Sequence, residues 1–406
     1  MNVDAVVIGG GALGLSTALH LALSGSSVVL VERHAVGSQA SGRAAGLFKS
    51  VQVDDSRTEL ARRSILRACT FSEWAGVDLE IVRSGSVLVA RTAAHQELLH
   101  RECDMSRGWG VPLTDLTPAE LAGRVSYYSP SGGERAVWCP EDIYIEEPMS
   151  LIRAYLGACL RHGVEVLEHE AVASVLIEAD RVLGVQTSER RIDARVVVDA
   201  AGGWARQIAE AAGSWISTAA VRHQLAVGAE STGVERADPI TRVLDAAVYL
   251  RPARGGLMIG GFESDPLPVD PSRQHKGFTT DDVPLDLSVL ARMAASVEAE
   301  VPLATVSVAS DPADHRGGLF TMSPDGRFIL GPAPDLSGLW IATGCNGSGF
   351  SSSLAIGEQL AAWIVGDRPA IDLTSFSPSR FDRIPDHALV QRGTWQYSHY
   401  YDPAAG

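Results

Sequence analysis

The apolar positions fall first into a short β-branched run at residues 4–8 (DAVVI). Glycines break that run at once, and the stretch LSTALHLALSG that follows has the small and apolar spacing of a buried helix, which Gly25 ends. A second apolar run at 27–31 (SVVLV) closes on Glu32. Together they predict a complete β-α-β unit.

The middle of the chain is less regular. Residues 54–99 read as helical and charged except for a strand over 85–90 (GSVLVA), and 147–161 predict a helix with Pro148 in its first turn. Short strands follow at 164–167, 173–177, 182–187 and 195–200. From 221 to 262 the apolar residues alternate with period two, with a Gly255-Gly256 turn between strands 248–251 and 257–261. Residues 264–284, rich in Pro, Asp and Ser, read as loop. Strands at 328–330 and 339–342, a glycine loop at 344–349 and a helix over 353–365 restore the α/β pattern. Past Arg380 the tail carries Trp395, Tyr397, Tyr400 and Tyr401, too aromatic for a solvated linker, and is expected to pack on something.

Composition narrows the partners. A net charge of -15 with only Lys49 and Lys276 as lysines leaves no basic stripe for nucleic acid or an anionic membrane. Five scattered cysteines offer neither a zinc ribbon nor a CxxC pair. The N-terminus has no basic n-region, and no run approaches membrane-spanning length, so a cytoplasmic protein without a membrane span is expected.

The chemistry begins at the first turn. Gly9, Gly11 and Gly14 form a GxGxxG between strand and helix, and Glu32 ends the second strand eighteen positions past Gly14. Gly9 permits a tight turn, Gly11 lets backbone amides approach a pyrophosphate, and Gly14 allows close helix–strand packing. Glu32 is placed to accept ribose hydroxyls. The small-residue loop 37–46 (GSQASGRAAG), with hydroxyls and one Arg, suits the pyrophosphate and the edge of an isoalloxazine, which favours FAD over NAD. No second GxGxxG is present for a nicotinamide partner. The second glycine loop and its helix, three hundred residues later, would direct N-terminal amides at the pyrimidine end of the flavin.

These segments, with PEDIYIEEP, VVVDAAGGWA, VRHQLAV, GGLMIGG, TMSPDGRFILGP and GLWIATGCNGSGF, resemble the family of D-amino-acid oxidase, glycine oxidase, sarcosine oxidase and dimethylglycine dehydrogenase up to about residue 380. The resemblance implies an α/β and α+β fold: a Rossmann-type FAD-binding domain (1–85, 145–218 and 320–380) interleaved with a substrate domain on a large mixed β-sheet (86–144 and 219–319), plus the aromatic tail 381–406. It implies FAD contacts at Gly9, Gly11, Ala12, Leu13, Gly14, Glu32, Arg33, Ser41, Gly42, Arg43, Ala44, Ala45, Gly46, Val172, Ala201, Gly202, Trp204, Gly318, Asn346, Gly347, Ser348, Gly349, Phe350 and Ser351. The implied reaction oxidises a C–N bond of an amine or amino acid, N-substituted or cyclic, by hydride transfer to flavin N5, and the imine then hydrolyses.

The departures matter as much. Arg43 stands where covalently flavinylated relatives carry a histidine, and Gly318 where others carry a covalent cysteine, so non-covalent FAD is expected. Met258 replaces a lysine that promotes reaction with oxygen, and Ser351 replaces a lysine that binds substrate carboxylate. A dehydrogenase with another, unknown electron acceptor is therefore expected. The alternatives are an oxidase releasing hydrogen peroxide, or the flavin subunit of a hetero-oligomer whose tail docks a partner subunit.

Three residues are candidates at the substrate. His223 is either a base taking the proton of an ammonium substrate or a satisfied structural histidine. Tyr249 and Arg251 share one side of their strand, so Arg251 is either a carboxylate clamp assisted by Tyr249 or an ion-paired surface residue. Lys49, beside the flavin loop, has the same two readings.

Overall fold

Residues 1–309 and 312–403 are described by the computed structural model, so Ser310, Asp311 and positions 404–406 of the tail lie outside the described residues. The β-branched run at the N-terminus becomes strand Asn2–Ile8, whose last four residues are buried because they are covered on both faces. It pairs in parallel with Val28–Val31 on one side and Arg191–Asp199 on the other. The sheet runs in the order Ile329–Pro332, Leu339–Thr343, Arg191–Asp199, Asn2–Ile8, Val28–Val31, Glu165–Leu167, with Arg181–Thr187 and Val172–Glu178 as an antiparallel extension. Helices Ala12–Leu23 and Gly349–Ile364 pack against each other on it. Gly357 makes their approach possible, since a Cβ there would lie 2.2 Å from the Ser16 hydroxyl.

The second sheet has eight strands in the order Asp314–Met322, Ala219–Val227, Gly256–Gly261, Val248–Ala253, Ile240–Val243, Ser86–Ala90, Arg135–Cys139, Thr114–Leu116. The mixed α/β fold is therefore a parallel Rossmann-like sheet beside a large mixed one.

Several elements differ from the sequence-based expectation. Asp314–Met322 is a full strand that its Asp, His, Arg and paired glycines conceal. It lies at the sheet edge, and Gly318 lets it press on the loop at Ala40, where a Cβ would meet Ala40 Cα at 2.9 Å. The stretch 264–284 is not wholly irregular: Arg222 and Val269 amides bond to Leu267 and Ala220 carbonyls, which dock it along strand Ala219–Val227. The helix after the glycine loop 344–349 starts at Gly349 rather than 353. No helix among the described residues is long and apolar enough to cross a membrane.

Candidate active site

One cavity of about 410 Å³ runs between the two sheets. At its first end, Gly9 adopts φ +106°, and a Cβ there would meet the Ala200 carbonyl oxygen at 2.5 Å. A Cβ on Gly14 would lie 1.9 Å from the Gly9 carbonyl oxygen. The helix Ala12–Leu23 has no side-chain cap at Gly11 and no acid in its first turn, so its amides face the cavity as an anion-binding N-terminus. The Ser41 hydroxyl accepts the Ala12 N–H at 3.0 Å. Glu32 is fixed at the strand end by accepting the N–H groups of Gly10 (2.7 Å) and His34 (2.8 Å). A glycine cradle, an uncapped helix N-terminus and a carboxylate at the second strand's end fit the ADP half of FAD.

The expected cofactor residues are largely gathered here. Gly9, Gly11, Ala12 and Leu13 line the cavity, as do Glu32 and Arg33. So do Ser41, Arg43, Ala44, Ala45 and Gly46, then Val172, Ala201, Gly202 and Trp204. Gly318 and the run Gly347, Ser348, Gly349, Phe350 and Ser351 complete them. Arg33 lies over the Trp204 ring at 4.7 Å, and Arg43 is held by Asp281 and the Ser38 carbonyl.

Gly14, Gly42 and Asn346 do not line it. Gly14 and Gly42 act through packing, since added Cβ atoms would strike the Gly9 and Gly37 carbonyls respectively. Asn346 shapes its loop instead: at φ +45° its side chain accepts the Ser323 N–H and donates to the Gly344 carbonyl.

At the other end the cavity becomes an aromatic chamber. His223 and Tyr249 both line it. Gly260 makes their meeting possible: it sits opposite Tyr249 in the sheet, and a Cβ there would lie 2.2 Å from the tyrosine hydroxyl. Over that bare glycine the Tyr249 hydroxyl reaches His223 Nε2 at 2.9 Å. Tyr397, from the tail helix Asp386–Ser398, meets Nδ1 at 2.7 Å. Phe320 stacks on the imidazole with ring centroids 4.1 Å apart.

Burial pushes the His223 imidazole down to about 3. Both ring nitrogens are taken by tyrosine hydroxyls, the arrangement of a satisfied structural histidine, which is one of the two readings above.

The expectation for Arg251 is corrected. The residue is fully buried outside the cavity, where its guanidinium donates to the carbonyls of Ala45 (2.8 Å), Glu146 (2.9 Å) and Pro252 (2.5 Å). It braces the flavin loop against the mixed sheet and is not placed to clamp a carboxylate. Met258 likewise packs with Leu225, Val227 and Ala253 against Ala45, away from the lining.

Sequence reasoning missed the tail's part. Tyr400 and Tyr401 line the chamber, Phe262 stacks on Tyr400 at 4.0 Å, and Lys49 Nζ donates to the Tyr400 hydroxyl at 2.5 Å. Burial alone would raise the Tyr400 phenol, but the Lys49 and Arg57 charges outweigh it and hold it below the usual phenol range. The tail's tyrosines at 397, 400 and 401 thus pack within this chain, while Trp395 of the same tail is 42% exposed. Their aromatic content was the available signal; Arg242, Arg316 and Thr280, which also line the cavity, gave none.

A family model described as DAO, FAD dependent oxidoreductase, matches residues 4–363. The chain is 32% identical over 390 residues to "4-methylaminobutanoate oxidase (formaldehyde-forming)" of Paenarthrobacter nicotinovorans, covering 94% of this chain and 46% of that protein. It is 28% identical over 404 residues to "Sarcosine dehydrogenase, mitochondrial" of Mus musculus, covering 97% and 42%. It therefore spans less than half the length of these relatives. The crystal structure of L-proline dehydrogenase from P. horikoshii superposes with a TM-score of 0.83 at 24% identity, covering 94% of this chain and 98% of that one, which shows a shared fold.

Proposed function

Because the chain belongs to the family of FAD-dependent oxidoreductases that this model describes, we propose that it is a dehydrogenase oxidising the C–N bond of an N-substituted or cyclic amine or amino acid. The observation that carries the reading is one continuous cavity joining a glycine cradle to an aromatic chamber around a histidine that is hydrogen-bonded at both ring nitrogens. FAD, when bound, supplies the two-electron acceptor, and its reoxidation by oxygen is favoured by a free cation facing the ring. The chain's own residues do the rest. Phe262, Phe320 and the tail tyrosines exclude water, His223 fixes the Tyr249 and Tyr397 hydroxyls, and Tyr400 is the chamber group best suited to take the proton an ammonium substrate loses. Oxidation leaves an imine, which water converts to a carbonyl compound and an amine.

Non-covalent attachment is supported by Gly318, which has no room for a side chain beside Ala40, and by Arg43, which is ion-paired. Acid precipitation is expected to release all the flavin to the supernatant. Use of an acceptor other than oxygen is supported by Met258, which brings no charge to the lining, and by the pairing of Arg316 with Asp314 at 2.6 Å and of Lys49 with Tyr400; Arg242, which lines the same cavity without a hydrogen-bonded acceptor among the described residues, argues the other way. Relatives named for both an oxidase and a dehydrogenase leave the acceptor to experiment. An amine panel should bleach the bound flavin anaerobically, and stopped-flow reoxidation should be slow. A bimolecular oxygen rate on the order of 10⁵ M⁻¹s⁻¹ or above, within the enzymatic range, establishes the oxidase instead.

A further inference from the structure

With Arg251 bracing the flavin loop and a serine at position 351, the cavity needs another cation if its substrate carries a carboxylate. Five arginine and lysine residues line it: Arg33, Arg43, Lys49, Arg242 and Arg316. Arg43 is matched by Asp281, Arg316 by Asp314 and Lys49 by Tyr400, each within hydrogen-bond distance, while Arg33 lies on Trp204. Arg242 differs. Its side chain is 3% exposed, and neither Nη1 nor Nη2 has a hydrogen-bond partner among the described residues. Its counter-charge, Asp142, stands off at 3.5 Å, because that carboxylate already accepts the Ser50 N–H at 2.7 Å and the Ser86 hydroxyl at 2.5 Å.

A buried guanidinium whose two amino groups have only a distant carboxylate is costly, and its fork of donors matches a carboxylate's two oxygens. The position suits that role. Arg242 sits on strand Ile240–Val243 directly opposite Tyr249, the residue bonded to His223. Burial, with the Arg242 charge adding to it, lowers the Lys49 ammonium below its ordinary range.

We infer that Arg242 is the anchor for a substrate carboxylate, so that the chamber takes amino acids in preference to simple amines. The inference rests on the amine-oxidising reading above, and the test separates the two. The FAD-loaded protein is titrated with acetate, propionate and butyrate, and with the corresponding neutral amides, following perturbation of the flavin absorbance. Carboxylates should perturb the spectrum and amides should not. Replacing both members of the pair, Arg242→Met with Asp142→Asn, avoids stranding a buried acid and should weaken carboxylate binding roughly 10- to 100-fold, the scale of a hydrogen bond to a charged group. Arg242→Lys should restore part of it. Wild-type affinity in the double variant overturns the anchor, as does an amine panel in which amino acids and their methyl esters bleach the wild-type flavin equally well. The ester comparison needs no variant and stands even if the double variant does not fold. A panel in which no amine bleaches the flavin defeats the amine-oxidising reading itself.

Discussion

The two ends of the cavity are built on opposite principles. The dinucleotide end is made mostly of backbone: Gly9 at φ +106°, the bare Cα of Gly14 beneath the Gly9 carbonyl, and the helix N-terminus after Gly11, which has no side-chain N-cap. Its glycines lie within one β-α-β unit, and the remote neighbour they need is the Ala200 carbonyl that Gly9 approaches. The substrate end is made of side chains from distant segments: His223, Arg242, Tyr249, Phe320 and the tyrosines at 397, 400 and 401. Backbone recognition tolerates no substitution but draws on few remote residues. Side-chain assembly tolerates substitution one residue at a time but depends on every element arriving in place.

The harshest way to test that contrast is Gly14→Val. Its Cβ would fall 1.9 Å from the Gly9 carbonyl oxygen, which is backbone and has nowhere to go. Loss of all bound flavin is expected, read as the disappearance of visible flavin absorbance from whatever protein remains soluble. Full FAD occupancy in that variant would remove the backbone account of the first end.

Arg251→Met tests the seam between the ends. Three carbonyls lose their donor, so about 3 kcal/mol of stability should disappear in urea unfolding, about 1 kcal/mol for each bond, while kcat/KM of the folded, loaded enzyme stays within a few-fold. A selective rise in KM for carboxylate substrates would instead return Arg251 to the substrate. By contrast, His223→Ala should leave FAD content unchanged and lower kcat/KM by roughly 10²-fold, the scale of one group organising the reacting centre. Equal kinetics would show that the chamber around it is not where substrate binds.

The same contrast explains what could be read beforehand. The β-α-β unit and Glu32 were legible because hydrophobic period and glycine spacing are local. The strand Asp314–Met322 was not, because its DHRGG segment has the composition of a turn and is extended only through pairing with Ala219–Val227. Alternation gave Arg251 the same side of its strand as Tyr249, but depth decides its partners, and depth follows from where the loop 44–46 crosses. Arg242 carried no signal, since a buried arginine and a solvated one look identical in a strand flanked by Thr241 and Val243. The tail announced itself by its aromatics, yet its target depended on Gly393, where a Cβ would meet the Ala219 Cβ at 2.9 Å as the helix docks.

The smallest expected effect is also the most specific to the substrate end, because it asks whether His223 is held neutral. Burial lowers its folded-state pKa to about 3 from an ordinary 6.5. Between those values the unfolded chain binds a proton that the folded chain refuses. The stabilisation from keeping the ring neutral is thus fully present above pH 6.5 and is lost as pH falls towards 3. From pH 7 to pH 5 that loss is about 2 kcal/mol. The whole-protein curve will not display it cleanly. His20, pushed down to about 4 by burial, acts in the same direction, while Asp199, pushed up to about 8 by burial, is neutral in the fold and gains stability as pH falls over the same range. A difference isolates the histidine. His223→Gln keeps a donor and an acceptor between Tyr249 and Tyr397 but has no proton to bind, so the stability gap between wild type and variant should shrink by about 2 kcal/mol on going from pH 7 to pH 5. A gap that stays constant would mean the imidazole is charged or solvated in the folded protein, and the tail would then not seal the chamber.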